Sequence, residues 1–391
     1  MAVLIFGDTI RSPALRHEIP LAVGDPFLYL EADTQTPSGS GTGRRRAVVT
    51  NALEVDRIAA AAPEVERLLG EELGRDELIA QGHSNAEVDR LLAVRAVREL
   101  GIREATVPPE FPLALADHLR SEGVDLRPDD ALFEDRRRRK TAAELEGIRR
   151  ATAAGLAALD EVARVLRATR VDGDVLRVDG DVLTSEALRA RVRGVCAAHG
   201  APAPEDIIVA PMRPGDDVGH EPGSGPLPAH APLCVDLWPQ DEATGCWSDM
   251  TRTWVVGDVS DAVGALHELV LEAHRRALEL VRPGVRGVDV YGAACDVFEA
   301  AGQPTQRTKA PGETLRHGFF FGLGHGVGLD VHEAPALGRT GRQELVGGDV
   351  VAVEPGLVDL EHGGMRVEDL VLVTEDGLEN LTAARTYDLR P

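Results

Sequence analysis

Cysteine is scarce in this chain. There are four in 391 residues, and Cys196, Cys234, Cys246 and Cys295 form no CxxC pair. That excludes a disulfide framework and is what a reducing cytoplasm leads one to expect. Long apolar runs are missing too, since none approaches the roughly 20 residues of a membrane span. The start, Met1-Ala2-Val3-Leu4-Ile5-Phe6, lacks a basic segment and soon meets Asp8 and Arg11, which argues against a signal peptide. Positive charge is in deficit, with a net charge of −23, so nucleic acid and anionic membranes are repelled rather than bound. Aromatic residues make up only 4%, and none interleaves with the single basic run, Arg136 to Lys140. That run is expected to be a solvated segment at a domain boundary.

Enough apolar material remains, at 43%, for large cores, and the length suggests two or three domains. Residues 1–133 alternate short apolar runs with helical patterns, as in an α/β domain. Phe27-Leu28-Tyr29-Leu30 and Ala47-Val48-Val49-Thr50 read as strands, and Thr34 to Arg46 as a loop. Asn85 to Leu100, closed by Gly101, reads as a helix. A linker is expected around residues 134–140. A second region, 141–391, begins at the capping box Thr141-Ala142-Ala143-Glu144. It contains a tandem duplication, residues 170–176 repeated as 177–183, which is expected to form a hairpin because it lacks a calcium-loop pattern. Helices are expected from Thr184 to Gly200, Asp261 to Val281 and Val288 to Ala301.

The chemistry gathers in the strand candidates of this second region. The stretch Gly322-Leu323-Gly324-His325-Gly326-Val327-Gly328-Leu329-Asp330-Val331-His332-Glu333 sets two imidazoles among glycines that let backbone approach closely. Asp236 lies inside the apolar run Cys234 to Trp238, and Asp249 lies in Trp247 to Thr253. A turn between those two runs lets them pair as a hairpin and brings the two aspartates together. Glu354 ends the apolar run Val350 to Val353, and Glu368 opens another. A carboxylate in an apolar strand is costly unless it is paired or bound to metal. Four of them with one neutral imidazole make a hard, oxygen-rich donor set for two divalent ions. Manganese suits this set best, and cobalt, iron or zinc would also fit. Arg366 shares a strand face with Glu368 and is a candidate partner of the carboxylates or clamp for substrate.

In this order, Asp236, Ser248 to Thr253, Gly324 to Gly328, His332-Glu333, Glu354-Pro355-Gly356 and Arg366 to Asp369 resemble the motifs of the pita-bread metallopeptidases. That family includes aminopeptidase P, prolidase and methionine aminopeptidase. The resemblance covers the chain from about residue 141 to its end. It implies an α+β architecture: a C-terminal pita-bread fold with a curved antiparallel sheet, preceded by a smaller creatinase-type α/β domain. It implies that Asp236, Asp249, His325, Glu354 and Glu368 ligate a dinuclear centre. It also implies that His332 and His220 contact the substrate or its tetrahedral intermediate. The expected reaction is hydrolysis of an N-terminal peptide bond, first of all Xaa-Pro, in a dipeptide or a longer peptide. A metal-bound hydroxide would attack, with Glu354 as its general base. A cytoplasmic homodimer is implied as well.

Phe321 stands where the prolidase and aminopeptidase P branch usually carries a histidine that lines the substrate pocket. It is therefore a candidate substrate-binding and specificity residue. It also keeps open a metallohydrolase or lyase acting on a small non-peptide substrate at the same site. A non-catalytic peptide-binding module is the third reading, and the intact ligand set argues against it.

Overall fold

The computed structural model describes residues 1–35, 42–214, 219–383 and 386–391. They fall into two compact units, Met1–Arg137 with Ala243–Gly245, and Arg138–Glu242 with Cys246–Pro391.

The first unit is built on six strands: β1 (Ala2–Gly7), β2 (Phe27–Gln35), β3 (Thr42–Thr50), β4 (Glu66–Leu69), β5 (Glu104–Val107) and β6 (Asp125–Pro128). Their order is β4-β3-β2-β1-β5-β6. Side chains alternate across the sheet. Leu4, Leu28 and Leu30 pack with Val88, Leu92 and Ala96 of the helix Asn85–Glu99. Val3, Ile5 and Tyr29 face Leu15, Ile19 and Phe133 on the other side. Ser84 and Glu87 form the capping box of that helix, and Gly101 follows it at φ 67.

Two expectations fail here, for one reason. Thr42–Arg46 was expected as loop but pairs in register with Glu31–Gln35. Residues 36–41 of that expected loop lie outside the described residues. The arginines that made the stretch look loop-like form ion pairs instead, Arg44 with Glu31 at 3.1 Å and Arg45 with Glu66 at 2.7 Å. The basic run is not solvated either. Asp130–Arg138 is a helix, and Arg136 binds Glu18 at 2.7 Å and Glu31 at 2.8 Å. In the second unit, Arg138 binds Asp349 at 2.7 Å and Lys140 binds Glu333 at 2.5 Å. The acids Glu31, Asp349 and Glu333 have almost no exposed side-chain surface, so each requires a cation.

The second unit opens with the helix Ala142–Ala168. The Glu144 amide donates to the Thr141 hydroxyl and the Thr141 amide donates to the Glu144 carboxylate. The duplicated segment forms a three-stranded meander, β7 (Arg170–Asp172), β8 (Val175–Val178) and β9 (Asp181–Val182), a hairpin extended by one strand. Asp179 takes φ 55 at its second turn. The remaining helices are Ser185–Ala198, Asp261–Leu278 and Gly287–Ala300.

Strands β10 (Ile208–Pro211), β11 (Leu233–Leu237) and β12 (Met250–Trp254) form one antiparallel sheet. A second antiparallel sheet joins β13 (Gly324–Gly326), β14 (Glu333–Leu337), β15 (Val350–Val353), β18 (Asp369–Val373) and β19 (Leu378–Asn380), in the order β14-β13-β15-β18-β19. Between β15 and β18 in the chain, β16 (Gly356–Asp359) and β17 (Gly363–Arg366) form a separate hairpin. The run Met365 to Val373 thus divides at Val367-Glu368 instead of continuing as one strand. Pro355 divides the partner strand at the same level, having no amide hydrogen to give a ladder. One face of the five-stranded sheet packs Val351, Val353, Val371 and Val373 against Val270, Ala273, Ala277 and Phe298. The other packs Val350, Ala352 and Leu370 against Val327 and Ile148.

Candidate metal centre and substrate cavity

The hairpin β11–β12 pairs Asp236 with Thr251, which puts Asp249, two residues earlier, on the same face. Thr251 also bridges to Glu368. The Glu368 amide donates to the Thr251 carbonyl at 3.1 Å, and the Thr251 hydroxyl donates to the Glu368 carboxylate at 2.7 Å. Glu354 follows β15, and its amide donates to the carbonyl of Leu323, at 2.7 Å, which brings it beside β13. His325 sits in the middle of β13, flanked by glycines that its neighbours require. A Cβ on Gly324 would collide with the carbonyl oxygen of Ala352, and one on Gly326 with that of Ala334.

These placements converge on one cavity of about 500 Å³. It is lined by all nine residues singled out from the sequence: Asp236, Asp249, His325, Glu354, Glu368, His332, His220, Arg366 and Phe321. Ligand atoms of Asp249, His325 and Glu368 lie within 4.8 Å of one another. His325 Nε2 is 3.7 Å from Asp249 and 3.5 Å from Glu354. Arg366 donates to Asp236 at 3.0 Å and to the carbonyl of Gly219 at 3.0 Å, and it lies 3.8 Å from Glu354.

The stretch from His325 to His332 is not one regular strand. The chain reverses between β13 and β14, with a register shift, and His332 precedes β14. The reversal stacks its ring 4.1 Å from that of His325.

The electrostatics are those of crowded acids. Burial pushes Asp249 and Glu368 well above the usual carboxylate range, and the neighbouring carboxylates add to it. Burial also raises Asp236 and Glu354, partly opposed by Arg366. Burial lowers His325, and it lowers His332 with help from the adjacent His325, so both imidazoles are held neutral. One buried oxygen of Asp249 has no hydrogen-bond partner among the described residues. Four packed carboxylates, a neutral imidazole nitrogen and an unsatisfied buried oxygen are what divalent cations would satisfy. The donor set therefore fits such ions.

Sequence reasoning missed Asp206, Ile208, Glu221 and Trp238, which also line the cavity. Trp238 had a signal, because it lies two residues after Asp236 along the strand. Asp206 and Glu221 had none, being two more acids in loops of an acidic chain. His230, His317 and His362 are not among the described lining residues.

The family model for metallopeptidase family M24 matches residues 146–375. The Xaa-Pro dipeptidase of Pyrococcus furiosus is 36% identical over 135 residues, 34% of this chain and 35% of the relative. The chain thus spans about a third of the length of the curated relatives it matches. Among solved structures, the Xaa-Pro dipeptidase from Bacillus anthracis superposes with a TM-score of 0.75 at 23% identity, covering 99% of this chain and 94% of that one. The X-Pro aminopeptidase from Thermotoga maritima gives 0.74 at 22% identity, covering 99% and 96%. At these identities the structural likeness speaks for the fold.

Proposed function

The chain belongs to metallopeptidase family M24 and has its pita-bread fold, and on that premise we propose that it is a metal-dependent peptidase releasing an N-terminal residue, with Xaa-Pro as the first bond to test. The observation that carries this reading is the convergence of Asp236, Asp249, His325, Glu354 and Glu368 in one cavity beside His220 and His332. Those five would hold two divalent ions. Their excess of carboxylate oxygens favours manganese over zinc. Bound there, the ions would polarise the scissile carbonyl and make water acidic enough to react near neutral pH.

The side chains supply the rest. Glu354, its proton affinity raised by burial, takes a proton from the attacking water and delivers it to the departing amine. Neutral His332 donates a hydrogen bond to the carbonyl oxygen as charge develops on it, and His220 supports the same oxygen or the substrate backbone. Arg366, itself in the cavity wall, donates to Asp236 and holds it in place. Phe321 shapes the pocket wall, packed at 5.3 Å against Phe319. Its aromatic ring in place of an imidazole is the one observation favouring a second reading, a small non-peptide substrate hydrolysed at the same centre.

Residues 1–133 are taken as a creatinase-type N-terminal domain, 134–140 as its connection and 141–391 as the catalytic domain. The division of contacts at Arg137 supports this. A reducing cytoplasm is supported by four cysteines that are all buried and form no disulfide among the described residues. A homodimer rests on the family resemblance alone. No helix among the described residues is long and apolar enough to cross a membrane.

The test is metal stripping and add-back. The stripped chain should be inactive, and manganese should restore hydrolysis of Xaa-Pro dipeptides or longer Xaa-Pro peptides. Glu354→Gln should lower kcat by about 100-fold or more. Hydrolysis of small non-peptide amides or esters, with no cleavage of any peptide, would move the assignment to the second reading.

A further inference from the structure

The candidate ligand Glu368 is held by its backbone as well as by its side chain. Arg252 donates to the Glu368 carbonyl at 2.6 Å and, from its other terminal nitrogen, to the Asp369 carboxylate at 2.8 Å. One buried guanidinium thus fixes the peptide unit that joins Glu368 to Asp369. Asp369 has no exposed surface and accepts hydrogen bonds on both oxygens. Oδ1 takes Arg252 and the Thr382 hydroxyl, the latter at 2.9 Å. Oδ2 takes the Asn380 amide and the Tyr387 hydroxyl, each at 2.5 Å. Arg252, Asp369, Asn380, Thr382 and Tyr387 are not among the described lining residues of the cavity. Their route to the centre is through Glu368.

Tyr387 belongs to residues 386–391, which form no helix or strand. They are tied down all the same. The Val255 amide, one residue past β12, donates to the Leu389 carbonyl at 2.7 Å, and Arg390 donates to the Gly257 carbonyl at 3.2 Å. A ring nitrogen of the buried His267 bonds to the Tyr387 backbone. The Tyr387 ring meets the His274 ring edge-on at 5.5 Å and lies against the Arg252 guanidinium at 4.9 Å. A hydroxyl donating to a carboxylate makes a stronger bond than one between neutral groups. Removing it frees the Asp369 carboxylate to turn, and Arg252 and the Glu368 backbone with it. Glu368 stands among three other crowded carboxylates, so a loosened Glu368 moves away from them and binds metal less well. On the metal-centre reading above, we propose that residues 386–391 are a strap that positions the centre. Tyr387 is its positioning residue, acting on Glu368 through Asp369 and Arg252.

The test titrates manganese into the stripped full-length protein in a calorimeter, beside thermal melts without metal. Tyr387→Phe keeps the ring against His274 and Arg252 and removes only the hydroxyl. It should weaken manganese binding by about tenfold, and a large excess of manganese should restore most of kcat with KM unchanged. Arg390→Ala cuts a tie of the same strap that does not reach Asp369, and should leave manganese affinity within about twofold of the parent. Tyr387→Phe binding manganese as the parent does, whatever its melting temperature, would overturn the proposal and leave the metal centre standing. So would equal losses of affinity in the two variants, since the strap would then be a general stabiliser. A parent chain that takes up no manganese would overturn the metal-centre reading, and this proposal with it.

Discussion

Glu354 and Phe321 show how much one residue can and cannot disclose. A carboxylate at the end of Val350-Val351-Ala352-Val353 is anomalous in any chain, because burying it unpaired is costly. The same anomaly at Asp236, Asp249 and Glu368 makes the candidate ligands legible in the sequence itself. Phe321 was legible only as a departure from a family pattern, since an aromatic in an apolar run is otherwise ordinary packing. If that ring limits proline recognition, Phe321→His should raise kcat/KM for Xaa-Pro substrates by on the order of tenfold. Steady-state kinetics on matched Xaa-Pro and Xaa-Ala peptides would check this, and an unchanged ratio would remove Phe321 from specificity. Asp206 and Glu221 stayed invisible for a physical reason. Exposed loop acids in a chain of net charge −23 carry no local cost that marks them out.

The elements were legible where local rules decide them. The Thr141–Glu144 capping box begins the helix it was expected to begin, because the cap bonds are made within four residues, and Ser84 and Glu87 cap Asn85–Glu99 in the same way. What could not be read was where strands change partners. The division of Met365–Val373 depends on Pro355 across the sheet, and the reversal between His325 and His332 depends on the pairing of β13 with both β14 and β15. Polar strands failed similarly, since the arginines of β3 are neutralised by residues distant in sequence.

Two substitutions test the elements. Gly324→Ala sets a methyl against the Ala352 carbonyl and should cost about 1–3 kcal/mol while moving His325 off its position. Arg252 donates to the Glu368 carbonyl at 2.6 Å and to the Asp369 carboxylate at 2.8 Å, all three residues buried. Burial pushes Asp369 up, but Arg252 and His274, with Tyr387 and Asn380, hold it below its ordinary value overall. Arg252→Met leaves that carboxylate without its strongest partner and should cost about 3–5 kcal/mol in a denaturant melt. It should also weaken metal binding through the displaced Glu368, whereas a purely structural arginine would leave metal affinity untouched.

The behaviour of the whole molecule follows from its crowded acids. Asp236, Asp249, Glu354 and Glu368 are all raised in the folded state, so these four sites hold more protons folded than unfolded. Without metal, their contribution to stability is present below about pH 4, the ordinary carboxylate range, and is lost as pH rises, whereas carboxylates held below their ordinary values, such as Glu31 and Asp369, contribute in the opposite sense. Divalent ions replace those protons, so the rise in Tm on adding manganese to stripped protein should be larger at about pH 8 than at about pH 5.5. Scanning calorimetry at the two pH values would read this directly.

The central claim is that five side chains form a two-metal hydrolytic centre. It is tested most directly by titrating manganese into the stripped full-length chain while following Xaa-Pro hydrolysis in the same samples. The account predicts about two equivalents bound and activity that rises with occupancy. It also predicts that Glu368→Gln loses both together. Failure to take up metal, or hydrolysis that persists undiminished in the stripped chain, would contradict it.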